Sequence, residues 1–259
     1  MQSHPFLNFR MNQHLIITVL SLMMLGCSLT RPYAQGKIEE DSHHPASTQH
    51  SSPGDLPVTS YQARIHSPDG YMNLMVYQPA RFPLKAPAVV LLPGVMASDD
   101  QYESYARALA SRGMVVALRD WYSYFHEDIQ LARDAITIKE WLITDKKADA
   151  KRIALVGHSM GAKDAMLAGL MDPQFSAIIA IDPDNQGTPS VATPALAGLK
   201  PPLFLIGAEV SWKGPDICAP KNENYEVFYE YAPKGTLELT LKDAAHVQLL
   251  DHPDRFCHQ

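Results

Sequence analysis

The 259 residues are 46% hydrophobic and 19% charged, a balance that supplies one sizeable core and excludes a chain left unfolded for want of apolar residues. A net charge of -6 leaves no basic footprint to neutralise phosphates, which excludes nucleic acid as the expected partner and argues against a polyanionic substrate. The three cysteines, Cys27, Cys218 and Cys257, form neither a CxxC pair nor a Cys/His ligand spacing, so no metal site is expected.

Arg10 precedes an apolar run from Leu15 to Leu25, followed by Gly26, Cys27 and polar chain. This is the three-part pattern of an export signal, and the run is too short to span a bilayer comfortably. Met24-Leu25-Gly26-Cys27 resembles the lipobox of bacterial lipoproteins, in which the cysteine is acylated and becomes the new N-terminus. That resemblance makes residues 1–27 a leader of lipoprotein type and places membrane contact on a lipid at Cys27. A plain cleaved signal or an uncleaved anchor is the competing reading. Residues 28–58, rich in Ser, Pro, Gln and His, read as a flexible linker, with His43, His44 and His50 as solvated side chains within it. Residues 59–259 are then the catalytic domain, and Cys218 and Cys257 remain either as a disulfide pair in an oxidising compartment or as two free thiols.

The runs Tyr61 to His66 and Tyr71 to Tyr77 flank Pro68-Asp69-Gly70, which is turn chemistry and predicts an opening β-hairpin. Five short, continuously apolar runs follow: Ala88 to Leu92, Val115 to Leu118, Ile153 to Val156, Ala177 to Ile181 and Leu203 to Ile206. Such runs suit parallel strands buried on both faces. Tyr102 to Ser111, Ile129 to Ile143 and Lys163 to Leu170 carry helical spacing between them, and Leu237 to Leu241 is a last strand. Alternating strands and helices of this kind build a mostly parallel twisted sheet of about eight strands with helices on both faces. Its ligands bind at the carboxyl ends of the strands.

The fifth strand runs into Gly157-His158-Ser159-Met160-Gly161, a G-x-S-x-G motif between strand and helix. That context, more than the five letters, marks an elbow that lifts a serine above the sheet at a helix N-terminus. A serine hydroxyl needs a base. His246, five residues beyond the last strand, is placed for it, whereas His252 precedes a proline and His258 lies at the chain end. His158 should point away from the nucleophile. The acid that fixes the base's tautomer is open among Asp182, Glu209, Asp184 and Asp216, of which Asp182 and Glu209 follow the sixth and seventh strands. Two backbone N–H groups are needed to hold an oxyanion. Met160 supplies one, and Val95, in the loop after the third strand, is the choice for the other.

The sequence resembles the chlorophyllase-like group of α/β-hydrolases, close to the cutinase-like polyester hydrolases. The patches that carry the likeness are Pro93-Gly94 with the segment to Val116, the elbow through Lys163, Ile181-Asp182-Pro183 with Gly187-Thr188, and Cys218-Ala219-Pro220 leading through Asn224 and Phe228 to His246. The resemblance implies the α/β-hydrolase fold, ester hydrolysis without a cofactor through an acyl-enzyme on Ser159, and Asp182 as the acid. Chlorophyllases usually carry Arg after the nucleophile and a second Gly after the elbow, where this chain has Met160 and Ala162. Both families favour an aromatic residue at the position of Val95. A small or lipophilic ester is the expected substrate, and no feature of the sequence sets an oligomeric state. Two other functions remain in view: an inert binding protein that keeps the fold, and an acyltransferase.

Overall fold

The structure, a computed structural model, describes residues 54–120, 127–211 and 218–253. The expected leader with Cys27, the linker histidines His43, His44 and His50, and Asp216, Cys257 and His258 lie outside the described residues.

Strands β1 (Val58–Ser67) and β2 (Gly70–Pro79) form the predicted antiparallel hairpin, with Ser67 opposite Gly70 so that only Pro68 and Asp69 make the turn. Six further strands follow: β3 (Ala88–Leu92), β4 (Val115–Arg119), β5 (Ile153–His158), β6 (Ile178–Ile181), β7 (Leu203–Ala208) and β8 (Leu237–Leu241). Together they form one eight-stranded sheet in the order β1-β2-β4-β3-β5-β6-β7-β8. The hairpin and the β2–β4 pair are antiparallel, and every pair from β4 to β8 is parallel. This is the α/β-hydrolase fold. In β3 the pleat sends Ala88, Val90 and Leu92 into one core and Val89 and Leu91 into the other. A run without polar interruption is what a strand covered on both faces requires.

Helices α1 (Glu103–Ala110), α2 (Asp128–Thr144), α3 (Met160–Met171) and α4 (Tyr225–Tyr231) flank the sheet. Ala106 and Leu109 of α1 fill one core, while Ala132, Ala135 and Ile138 of α2 and Ala162 and Ala165 of α3 fill the other. Helix α4 is absent from the sequence-based prediction, because seven residues make barely two turns and only Tyr225 and Phe228 are buried. A buried ion pair fastens α2 to the sheet: Arg119 donates to Asp134 Oδ2 at 2.8 Å through Nη2, while Ser67 Oγ donates to Asp134 Oδ1 at 2.6 Å.

Candidate active site

The carboxyl ends of β3, β5, β6 and β7, with the loop after β8, meet around Ser159. The chain turns there from β5 directly into α3, with Ser159 at φ 58° and ψ -128°, a backbone state that non-glycine residues avoid and that is held only where surrounding contacts enforce it. The flanking glycines explain how the turn closes. A Cβ on Gly157 would lie 2.1 Å from Gly161 O, and one on Gly161 would lie 2.3 Å from Pro93 O. The elbow therefore packs backbone to backbone, both on itself and on the loop after β3. Ser159 N–H donates to Ile181 O at 3.0 Å, and Asp184 N–H donates to Ser159 O at 3.2 Å, tying the elbow to the end of β6.

His246 opens a short 3-10 turn, His246–Leu249, after β8. Its Nε2 lies 2.9 Å from Ser159 Oγ and its Nδ1 lies 2.6 Å from Asp182 Oδ2. All three residues are buried, with Ser159 5%, His246 6% and Asp182 0% exposed. Asp182 accepts at both oxygens: Ala208 N–H donates to Oδ1 at 2.9 Å, and Ser211 Oγ and His246 Nδ1 both meet Oδ2. With Oδ2 of Asp182 facing Nδ1, the hydrogen of the neutral imidazole sits on Nδ1, and the contact fixes His246 as the Nδ1–H tautomer. Nε2 is then free to accept from the serine.

The other acid candidates are engaged elsewhere. Glu209 is exposed and accepts from Asp243 N–H at 2.9 Å. Asp184 is buried and takes Gln186 N–H at 3.0 Å and Gln186 Nε2 at 2.8 Å; burial pushes its carboxyl up from the ordinary carboxylate range. His252 is exposed. Val95 lies half-buried in the loop after β3, Met96 beside it is 68% exposed with φ 60°, and Met160 is half-buried at the first position of α3. A Cβ on Gly94, the residue before Val95, would lie 3.1 Å from Ser159 Cβ, which brings the loop after β3 against the elbow.

Ser211 was not among the sequence candidates. Its signal was a hydroxyl three residues past Ala208, the last residue of β7, where it also reaches Ala208 O at 2.9 Å. His158 does not stand clear of the site. Its ring packs 4.6 Å from that of His246, centroid to centroid, and bonds to Tyr102 and to the His246 carbonyl. Lys163, fully buried, pairs with Asp128 Oδ2 at 2.5 Å and bonds to Gln186 O, joining the first turns of α3 and α2 to the loop beyond Asp182. Cys218 is buried and disulfide-bonded. Among the described residues, no group of three or more His, Cys, Asp or Glu side chains converges as a metal site requires.

A family model described as Chlorophyllase matches residues 47–258. The chain is 24% identical over 194 residues to Chlorophyllase type 0 of Chenopodium album, covering 64% of this chain and 56% of that protein. It is 25% identical over 201 residues to Cutinase est1 of Thermobifida alba, covering 74% and 64% of the two chains. Similarity to the bis(hydroxyethyl) terephthalate hydrolase of Streptomyces coelicolor reaches 27% identity over 240 residues, 88% of this chain and 73% of that one. The match thus spans less than two thirds of the length of the first two relatives.

Proposed function

The chain belongs to the chlorophyllase family, and from that membership together with the geometry around Ser159 we propose that it is a serine-dependent carboxylic ester hydrolase. Ser159 is the nucleophile, His246 its base and Asp182 the acid that orients the base. One observation carries the proposal: an unbroken line of contacts from Asp182 Oδ2 through both ring nitrogens of His246 to Ser159 Oγ, at 2.6 and 2.9 Å.

Ser159 Oγ attacks the ester carbonyl as its proton passes to His246 Nε2, and the imidazolium so formed is stabilised by Asp182. The carbonyl oxygen becomes an oxyanion held by the N–H groups of Met160 and Val95, each such donor contributing about 3 kcal/mol to the transition state. Collapse breaks the bond to the alcohol, which leaves with the proton from His246. Water then repeats the sequence on the acyl-enzyme, losing its proton to His246 and releasing the acid and free Ser159. The partly or fully exposed apolar residues Val95, Met96 and Met160, which neighbour Gly94 and Ser159 in the chain, support a small or lipophilic ester as substrate. The names of the relatives refer to different compounds, and what is carried over from them is ester hydrolysis alone.

A fluorophosphonate probe should label the wild-type protein and not Ser159→Ala. The same substitution should lower kcat/KM on p-nitrophenyl butyrate by roughly 10⁴- to 10⁶-fold. Hydrolysis that survives Ser159→Ala unchanged rejects the proposal. Absence of labelling in the wild type favours the inert binding protein instead.

Export and tethering through acylated Cys27 complete the proposal. The leader pattern supports it, and so does disulfide-bonded Cys218, since such bonds persist in oxidising compartments. Cys27→Ser should shift the protein from the membrane to the soluble fraction with its hydrolysis rate unchanged. Retention in the membrane after that substitution rules the lipid tether out.

A further inference from the structure

Behind the triad lies a second chain of polar contacts that the proposed reaction does not use. Gly94 N–H, in the loop after β3, donates to Tyr102 Oη at 2.8 Å. Tyr102 Oη lies 2.9 Å from His158 Nδ1, and His158 Nε2 lies 3.3 Å from the carbonyl oxygen of His246. Tyr102 is 2% and His158 3% exposed, so water cannot make up for a missing partner.

Those contacts admit one arrangement of protons. The His246 carbonyl only accepts, so His158 carries its hydrogen on Nε2. A neutral imidazole has one N–H, which leaves Nδ1 an acceptor. The phenol, already accepting from Gly94, then donates its proton to Nδ1. The opposite tautomer would set Nε2 against the carbonyl with no hydrogen between them and leave the buried O–H of Tyr102 without an acceptor. The imidazolium would strand that O–H as well, and burial together with the nearby His246 holds the His158 pKa well below the ordinary histidine value.

We propose that Tyr102 and His158 are positioning residues, a neutral strut with ordered protons that fixes the oxyanion loop at Gly94 to the backbone of the base His246. The strut starts at the residue immediately before the donor Val95 and passes through the residue immediately before the nucleophile, so one set of hydrogen bonds ties together the segments that carry oxyanion donor, nucleophile and base. It also bears on the charge that the reaction creates. The His158 ring lies 4.6 Å from that of His246, and a neutral ring there lets His246 take up the serine proton without a neighbouring cation opposing it. This role rests on the esterase proposal, whereas the order of the protons does not.

Tyr105 provides a matched control. It is as buried as Tyr102, and its Oη donates to Leu249 O at 2.7 Å, at the far end of the turn that His246 opens, whereas Tyr102 Oη meets Gly94 N–H and His158 Nδ1. Kinetics of p-nitrophenyl butyrate hydrolysis should show kcat of Tyr102→Phe lowered roughly 10- to 100-fold with KM within about 2-fold, the pattern of misplaced catalytic groups. Tyr105→Phe should keep kcat within about 2-fold. Equal kcat in the two folded variants overturns the positioning role. On the unsubstituted protein, ¹⁵N NMR of the histidine side chains should show His158 protonated at Nε2 and bare at Nδ1, unchanged from about pH 8 to about pH 5.5. The Nδ1–H tautomer, or protonation of His158 within that range, overturns the strut even if Tyr102→Phe fails to fold. If neither hydrolysis nor fluorophosphonate labelling is found in the wild type, the esterase proposal and the positioning role fall together, and the NMR result still decides the proton order.

Discussion

Asp182 receives more donors than a charge relay alone needs. Ala208 N–H holds Oδ1, and Ser211 Oγ shares Oδ2 with His246 Nδ1, so the carboxylate is fixed in plane before it meets the imidazole. An amide in its place would present an N–H to one of these donors and release the tautomer of His246. Asp182→Asn should therefore lower kcat by roughly 10⁴-fold, while Glu209→Gln, whose carboxylate faces Asp243 N–H, should leave kcat within about 2-fold. Steady-state kinetics of the two purified variants decide it, and the reverse ranking would move the acid to Glu209. The residues alone could not choose between them, because both follow ends of neighbouring parallel strands and differ only in which one the loop after β8 overlies. The resemblance to chlorophyllases singled out Asp182. Nothing in the sequence announced Tyr102, and Ser211 offered only a hydroxyl three residues past the end of β7, because a hydroxyl's partner is set by tertiary packing that no local spacing encodes.

At the level of elements, legibility followed the hydrophobic pattern of each strand. β3 and β8 match the predicted runs residue for residue, and β4, β5 and β7 extend theirs by one or two positions. Strands covered on both faces, such as β3, must be apolar throughout, whereas the half-buried edge strand β8 shows instead the alternation of Leu237, Leu239 and Leu241 with Glu238 and Thr240, and both constraints are local. β5 was cut short because Gly157 and His158 look like turn residues, yet both remain in the sheet, paired with Ala180 and Ile181 of β6. The predicted start of α3 at Lys163 fell three residues late for a related reason. Gly161 is a poor helix former, and its presence is explained only by Pro93 O standing where a side chain would be. In both places local preference gives way to the close approach of two backbones, and that approach builds the elbow.

For the whole molecule, the parallel topology has a consequence for stability. Gathering the strand ends that carry Ser159, Asp182 and His158 beside the loop bearing His246 concentrates buried polar groups at one edge of the sheet, and these need not titrate as they do in the unfolded chain. His158 titrates well below its ordinary value, first because it is buried and second because His246 is near. The groups facing it are Tyr102, whose phenol burial pushes up, and His246 with Asp182 behind it. Below about pH 6.5 the unfolded chain binds a proton at this histidine that the folded chain refuses. More protons bound in the unfolded state make stability rise with pH, so acidification through that window destabilises the fold by up to about 1.4 kcal/mol per pH unit for this one site. Asp184 acts with the opposite sign: burial lifts its carboxyl, so the folded chain holds that proton more tightly and acid favours folding through it. Comparing wild type with His158→Asn at each pH cancels the Asp184 contribution, because both chains retain it. The asparagine carbonyl can still accept from Tyr102 Oη but cannot titrate. The variant should be the less stable at about pH 7.5, and its deficit in urea-unfolding free energy should shrink by on the order of 1 kcal/mol by about pH 5. A deficit that stays constant across that range would mean that His158 takes up its proton as readily in the folded chain as in the unfolded one.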